Sequence, residues 1–200
     1  MQRKIRIQTS GTAALLMHNV RLANPLDVYA KAIKVITSKP KKTEADYEEI
    51  FKLEYAGGLY YSEKIGPYIP ARMVRASVIN GARMLKLGAS IERTLLVGET
   101  EVKLVYEGPR DRNKLYESEF YRDIRPVSGQ GTRGGSKTMR CRPLFEPPWS
   151  VKFTLLFDEE QVSPDNLRLC LDRAGAYHGF GDGRSEGNGR FEVSTWEVLE

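Results

Sequence analysis

His178-Gly179-Phe180-Gly181-Asp182-Gly183-Arg184-Ser185-Glu186-Gly187-Asn188-Gly189-Arg190-Phe191 lies near the C-terminus, and five of its fourteen residues are glycine. A helical pattern precedes it from Ser163 to Tyr177, opened by Ser163-Pro164 and carrying Leu167, Cys170, Leu171 and Ala174 on one face. A strand pattern follows from Arg190 to Val198, with Phe191, Val193 and Trp196. Glycine opens positive φ and lets the backbone approach another molecule closely. Gly179/Gly181 and Gly187/Gly189 bracket a polar tip with Asp182, Arg184 and Glu186. Such a loop offers bare N–H groups and an arginine to a phosphate backbone. The same composition also fits a hairpin-like connection that holds no ligand.

Outward from this loop, strands and helices interleave. Arg3 to Ser10 alternates, with Ile5 and Ile7 on the buried side and Lys4, Arg6 and Gln8 opposite. Ala13 to Met17 reads as a second strand or an extension of the first past Gly11. Asn24-Pro25 opens a helix that runs to Ser38, and Thr43 with Asp46 caps another that runs to Tyr55. Leu59-Tyr60-Tyr61 reads as a short strand, and Gly66 to Pro70 as a rigid turn. A helix from Ala71 to Leu87 follows, striped by Val74, Val78, Ala82 and Leu85 and closed by Gly88. Thr94 to Val97 and Glu101 to Tyr106 are short strands, and Glu107 to Glu119 is a polar connection. Phe120–Val127 and Thr138–Leu144 are the arms of a hairpin whose tip, Ser128 to Ser136, has four glycines in nine residues and is expected to be mobile. Trp149 to Phe157 is a strong strand with Val151, Phe153 and Leu155 on one face.

The 200 residues suit one domain, and 40% hydrophobic content supports a real core. The net charge of +5 is modest, so its distribution matters more than its total. From Phe120 to Arg142 there are six Lys/Arg (Arg122, Arg125, Arg133, Lys137, Arg140, Arg142) against Asp123 alone. A mostly arginine hairpin suits sequence-blind phosphate contact, and Phe120 and Tyr121 suit base stacking. A solvated loop whose arginines pair with acids elsewhere gives the same pattern. Cys141 and Cys170 lack metal-ligand spacing, so neither metal nor cofactor is expected. Two lone cysteines and no apolar leader suit a reducing, cytoplasmic setting, and no run approaches the ~20 apolar residues of a membrane span.

The order of elements resembles the RAMP superfamily of RNA-binding proteins, which includes backbone subunits and RNA-processing enzymes of multi-subunit CRISPR systems. Gly179-Phe180-Gly181 and Gly187-Asn188-Gly189 match that family's glycine-rich loop and occupy its place between the last helix and last strand. Ile69-Pro70-Ala71-Arg72-Met73-Val74-Arg75-Ala76 is similar to the family's "IPG-S-x-hydrophobic-K-G" helix entry, with Ala71 and Ala76 at the glycine positions and Arg72 in place of Ser. The resemblance implies an α+β, ferredoxin-like (RRM-like) antiparallel sheet with helices on one face. It spans one domain, 1–200, interrupted by a helical insertion at 24–56 and a protruding basic, thumb-like hairpin at 108–145.

The resemblance further implies a non-catalytic single-stranded nucleic-acid binder in antiviral defense, RNA before DNA, that assembles with its own copies or with CRISPR effector subunits. Its expected contacts are Arg122, Arg125, Arg133, Lys137, Arg140, Arg142, Arg72, Arg75, Gly179, Gly181, Arg184, Gly187 and Gly189. The alternatives are an endoribonuclease that processes CRISPR RNA and a phage-encoded mimic or inhibitor that joins a host complex. Enzymatic activity stays open, with the balance against it. The candidate proton carriers are His18 and His178, since an imidazole titrating near ~6.5 transfers protons at neutral pH. A hydrogen-bonded structural role suits either histidine equally.

Overall fold

The computed structural model describes residues 1–128 and 137–199; the hairpin tip, with Arg133, lies outside the described residues. In chain order the elements are β1 (Gln2–Gly11), β2 (Leu15–Leu16), α1 (Val28–Thr37), α2 (Glu44–Gly58), β3 (Tyr61–Ser62), β4 (Gly66–Pro70), α3 (Ala71–Met84) and α4 (Gly88–Thr94). Then come β5 (Leu96–Val97), β6 (Glu101–Tyr106), α5 (Arg112–Glu117), β7 (Arg122–Ser128), β8 (Lys137–Phe145), β9 (Trp149–Asp158), α6 (Pro164–Tyr177) and β10 (Phe191–Leu199). The chain forms two compact units. The first is Met1–Leu15, Tyr61–Gly108 and Phe145–Glu200; the second is Leu16–Tyr60 and Pro109–Leu144.

The first unit is ferredoxin-like. Its sheet runs β10-β1-β9-β6-β4-β3, with β5 also paired to β9. The central pairings β10·β1, β1·β9 and β9·β6 are antiparallel, so β1-α3-β6-β9-α6-β10 is the β-α-β-β-α-β core. Period-two alternation puts Ile5, Ile7 and Thr9 of β1 opposite Leu155, Phe153 and Val151 of β9, all fully buried. Val74, Val78 and Ala82 of α3 and Leu167, Cys170, Leu171 and Ala174 of α6 are buried too. Each fully buried valine, leucine or isoleucine among them stabilises the fold by about 1.5–3 kcal/mol. The two helices pack tightly at Gly81, where an added Cβ would lie 2.2 Å from the Cys170 carbonyl oxygen.

The second unit brings both insertions together around Met17, Ile50, Tyr55, Leu59, Leu115 and Cys141. Tyr55 meets Tyr116 edge to face at 5.3 Å, and the Met17 N–H donates to the Pro143 carbonyl at 2.9 Å. β7 and β8 form the expected hairpin arms in antiparallel register. α2 begins with a complete capping box between Thr43 and Asp46. Lys39, and after it Thr43, donate to the Asp46 carboxylate and hold its pKa down at about 2.

Four local readings change. Gly66 to Pro70 is not a turn but β4, because Tyr68, Ile69 and Pro70 pair with β6. Gly88 does not cap α3; Lys86 takes the left-handed turn (φ 61°), and Gly88 opens α4. α1 starts three residues after Pro25, capped by Asp27, whose carboxylate accepts the Tyr29 N–H at 2.9 Å. The 107–119 connection contains α5, capped by Asp111 and anchored by fully buried Leu115.

Candidate nucleic-acid interface

The glycine loop closes on itself. Gly179, Gly181, Gly183, Gly187 and Gly189 all have positive φ, between 63° and 93°. The Phe180 N–H donates to the Gly189 carbonyl at 2.9 Å, and the Gly189 N–H donates to the Ala14 carbonyl at 2.7 Å. Gly179 and Gly187 donate to Ala174 and Arg184 carbonyls, and the Gly181 N–H faces the Met73 sulfur at 3.1 Å. A Cβ on Gly179 would lie 2.5 Å from the Gly189 backbone, and one on Gly189 only 1.8 Å from the Phe180 oxygen. The two Gly-x-Gly pairs therefore let two backbone segments of this chain touch. The expectation of bare N–H groups is corrected at these positions: Gly179, Gly181, Gly187 and Gly189 spend their donors inside the protein. Between them Phe180 is fully buried and stacks on Phe191 at 4.2 Å. Arg184 remains exposed at the tip.

At the entry to α3, Arg75 is a structural residue. Its Nε donates to the Leu95 carbonyl at 3.0 Å and its Nη2 to the Glu92 carbonyl, which caps the C-terminal end of α4. Arg72 is exposed and lines, with Arg75, Asn80, Arg83 and Glu92, a groove of about 310 Å³.

The hairpin arginines are largely paired. Arg142, with a side chain 7% exposed, donates from Nε and Nη2 to Asp123 Oδ2 at 3.1 and 2.8 Å. Arg125 donates from Nε to Asp123 Oδ1 at 2.6 Å. Arg140 donates to Glu54 Oε1 at 2.6 Å, while the Cys141 N–H donates to Glu54 Oε2 at 2.9 Å. Arg122 lies over the Tyr116 ring at 5.1 Å. Arg142, expected among the nucleic-acid contacts, is instead buried against a carboxylate, and the carboxylate pairing of Arg125, Arg140 and Arg142 matches the alternative in which hairpin arginines pair with acids. Arg125 and Arg140 keep 41% and 43% of their side chains exposed, and Lys137 is exposed. Glu54, which completes this network, carried no signal in the sequence because its partner lies 86 residues away.

Another basic stretch was also missed. Residues 28–42 contain Lys31, Lys34, Lys39, Lys41 and Lys42 and no acid. The signal was present, but the helix pattern over this stretch was read for its apolar face and the charges were not counted. Lys31, Lys34 and Lys41 are exposed, whereas Lys39 bonds Asp46 at 2.6 Å. The second unit as a whole has 16 Lys/Arg against 10 Asp/Glu, and the first has 15 against 16. All the excess positive charge thus belongs to the unit built from the two insertions.

The histidines fall in different units, His18 in the second and His178 in the first. His178 ends α6, its N–H bonded to the Ala174 carbonyl, and its Nε2 is buried without a hydrogen-bond partner among the described residues. Burial first, then the charges of Arg190 and Arg184, push its pKa below the ordinary 6.5. The unfolded chain therefore takes up this proton at a higher pH than the folded one. The contribution to stability is complete above the ordinary value and is lost as pH falls from there to the lowered folded value. Urea unfolding at stepped pH is expected to show this loss below about pH 6.5, and His178→Gln to remove that part of the slope.

Burial pushes the Cys141 and Cys170 thiols up to about 12 and 11, so neither supplies a thiolate at neutral pH. No metal-holding cluster of His, Cys, Asp or Glu occurs among the described residues, and no helix among them is long and apolar enough to cross a membrane.

No protein-family model matches the sequence, and no curated protein matches it either. Solved structures do match in fold. One is a chain of the cryo-EM structure of "the Type III-B Cmr-beta bound to cognate target RNA", with a TM-score of 0.59 and 15% sequence identity. The alignment covers 100% of this chain and 61% of that one, so this chain spans about three fifths of its neighbour's length. At this identity the likeness is one of fold.

Proposed function

We propose that this chain is a non-catalytic binder of single-stranded nucleic acid, RNA in preference to DNA, that acts as a backbone-type subunit of a CRISPR effector and assembles along the strand. The observation that carries the reading is the charge division: +6 on the insertion-built unit and −1 on the ferredoxin-like unit, from the counts above. A polyanion is the partner that such a division suits, because phosphate neutralisation dominates affinity for nucleic acid. The fold neighbour comes from an assembly bound to target RNA, which supports RNA over DNA. Within this reading the contacts are Arg122, Arg125, Arg140 and Lys137, the α1-region lysines Lys31, Lys34 and Lys41 of the same unit, and Arg72 and Arg184 of the other unit; Arg133 stays in the set on its sequence alone. Arg142 and Arg75 leave the set, because their guanidiniums are committed to Asp123 and to α4 carbonyls.

The test is fluorescence anisotropy of nuclease-treated protein with labelled RNA and DNA of about 30 nucleotides across a salt series. Binding is expected to tighten as salt falls, with a log–log slope of about −0.7 per phosphate neutralised. Absence of binding to both oligonucleotides at low salt overturns the proposal.

The carboxylate pairing of Arg125, Arg140 and Arg142 favours a second reading: a module that keeps the fold and joins such a complex without holding RNA, as a phage-encoded mimic would. Co-purification with an effector complex after nuclease treatment, together with failure to bind RNA, selects it.

A further inference from the structure

We infer that Arg125 and Arg140 form a clamp for a single phosphodiester, two guanidiniums side by side across β7 and β8, each anchored by a buried carboxylate. The inference rests on the nucleic-acid reading above and names the group that the hairpin grips.

Arg125 and Arg140 are direct cross-strand partners. Such partners share a face, with Cβ atoms about 4.5–5.5 Å apart, where like charges repel and weaken the pairing. This hairpin tolerates the juxtaposition because each arginine has its own acid. Asp123 Oδ1 lies 2.6 Å from Arg125 Nε, and Glu54 Oε1 lies 2.6 Å from Arg140 Nη1. The carboxylates are 9% and 4% exposed and the arginines 41% and 43%, so the acids grip from the buried side while the guanidiniums reach the surface.

Both anchors are themselves fixed. Asp123 is held at its other oxygen by buried Arg142, and Glu54 at its other oxygen by the Cys141 N–H. Two arginines held in this way lose little side-chain entropy on binding, unlike a pair of free surface cations. Forked guanidinium donors match phosphate oxygens in charge-assisted hydrogen bonds.

The decisive variant is Glu54→Gln combined with Arg140→Gln in the full chain. It removes both members of a pair, leaves no lone buried charge and keeps the net charge at +5. A loss of binding therefore cannot come from a change in overall charge. RNA affinity is expected to fall about tenfold, and the salt slope to become shallower by about 0.7. Arg140→Lys is expected to keep the slope and lose about threefold in affinity, because the point charge survives and the fork does not.

If the double variant fails to fold, Arg125→Gln is read instead, since it leaves Asp123 paired with Arg142, and the same loss is expected. Unchanged affinity and slope in the variant that folds overturn the clamp. A second readout needs no RNA: arginine Nε–H resonances titrated with dimethyl phosphate. Those of Arg125 and Arg140 are expected to move, and that of Arg142 to stay. Shifts without RNA binding leave the clamp standing and remove the RNA reading. RNA binding with unmoved resonances and slope removes the clamp alone.

Discussion

Asp123→Ala is expected to lower stability by about 3–5 kcal/mol, the usual result of removing one partner of a buried ion pair. The substitution deletes a small, 8% exposed side chain, so little of the cost is lost packing. The cost comes from Arg142. Its side chain is 7% exposed and both of its Asp123 bonds, at 2.8 and 3.1 Å, disappear together. A guanidinium cannot escape by losing its proton, as a lysine does when buried. Arg125 loses its partner as well, but at 41% exposure it turns to solvent at little cost. Urea unfolding followed by far-UV circular dichroism and tyrosine fluorescence measures the effect. Asp123→Ala combined with Arg142→Met is expected to recover most of the loss, because no buried guanidinium then lacks its carboxylate. A loss below ~1 kcal/mol in the single variant would mean that Arg142 finds water or another acceptor.

Gly189→Ala is the second large effect, about 2–5 kcal/mol. Two costs combine. At φ 73° an L side chain pays about 1–2 kcal/mol for left-handed backbone. The new Cβ would also sit 1.8 Å from the Phe180 carbonyl oxygen, and relief of such overpacking costs about 1–3 kcal/mol more. The strand of loop that must move carries Phe180, which is fully buried and stacked on Phe191, so displacement disturbs the core. Gly187→Ala isolates the first cost. Its φ is 93°, but an added Cβ meets nothing within 4 Å, so a loss of only about 1 kcal/mol is expected. Equal losses in the two variants would show that backbone conformation alone fixes these glycines.

The pair of results bears on how much of the candidate site was legible. Glycine spacing announced a loop with unusual backbone between α6 and β10, and that loop is present. Its contacts were not legible, since a positive φ looks the same in a sequence whether the space beside it holds a ligand or another stretch of the same chain. The hairpin shows the converse. Its two arms were legible and their register was not, while Glu54, contributed by α2, fixes Arg140 from 86 residues away. Counting charge from Phe120 to Arg142 could not include it. The lysines of α1 were readable and were passed over, because the helix pattern was read for its apolar face.

By itself, the sequence showed the elements of the core, namely period-two strands in β1 and β9, helical stripes in α3 and α6 and a glycine-rich link before the last strand, while their ferredoxin-like assembly was implied by a family resemblance. Those signals are local, because side-chain alternation and capping depend on neighbours a few residues apart. Tertiary structure alone decided that two segments separated by 48 residues, Tyr60 to Pro109, build one compact unit, that Arg142 is buried against Asp123 and Arg75 spends its donors on carbonyls at the end of α4, and that Arg125 and Arg140 are cross-strand partners, each partly exposed. Charge pairing depends on distance in space, which chain separation does not report, so whether a cation is a site or a strut is decided by the acceptors that the fold places beside it.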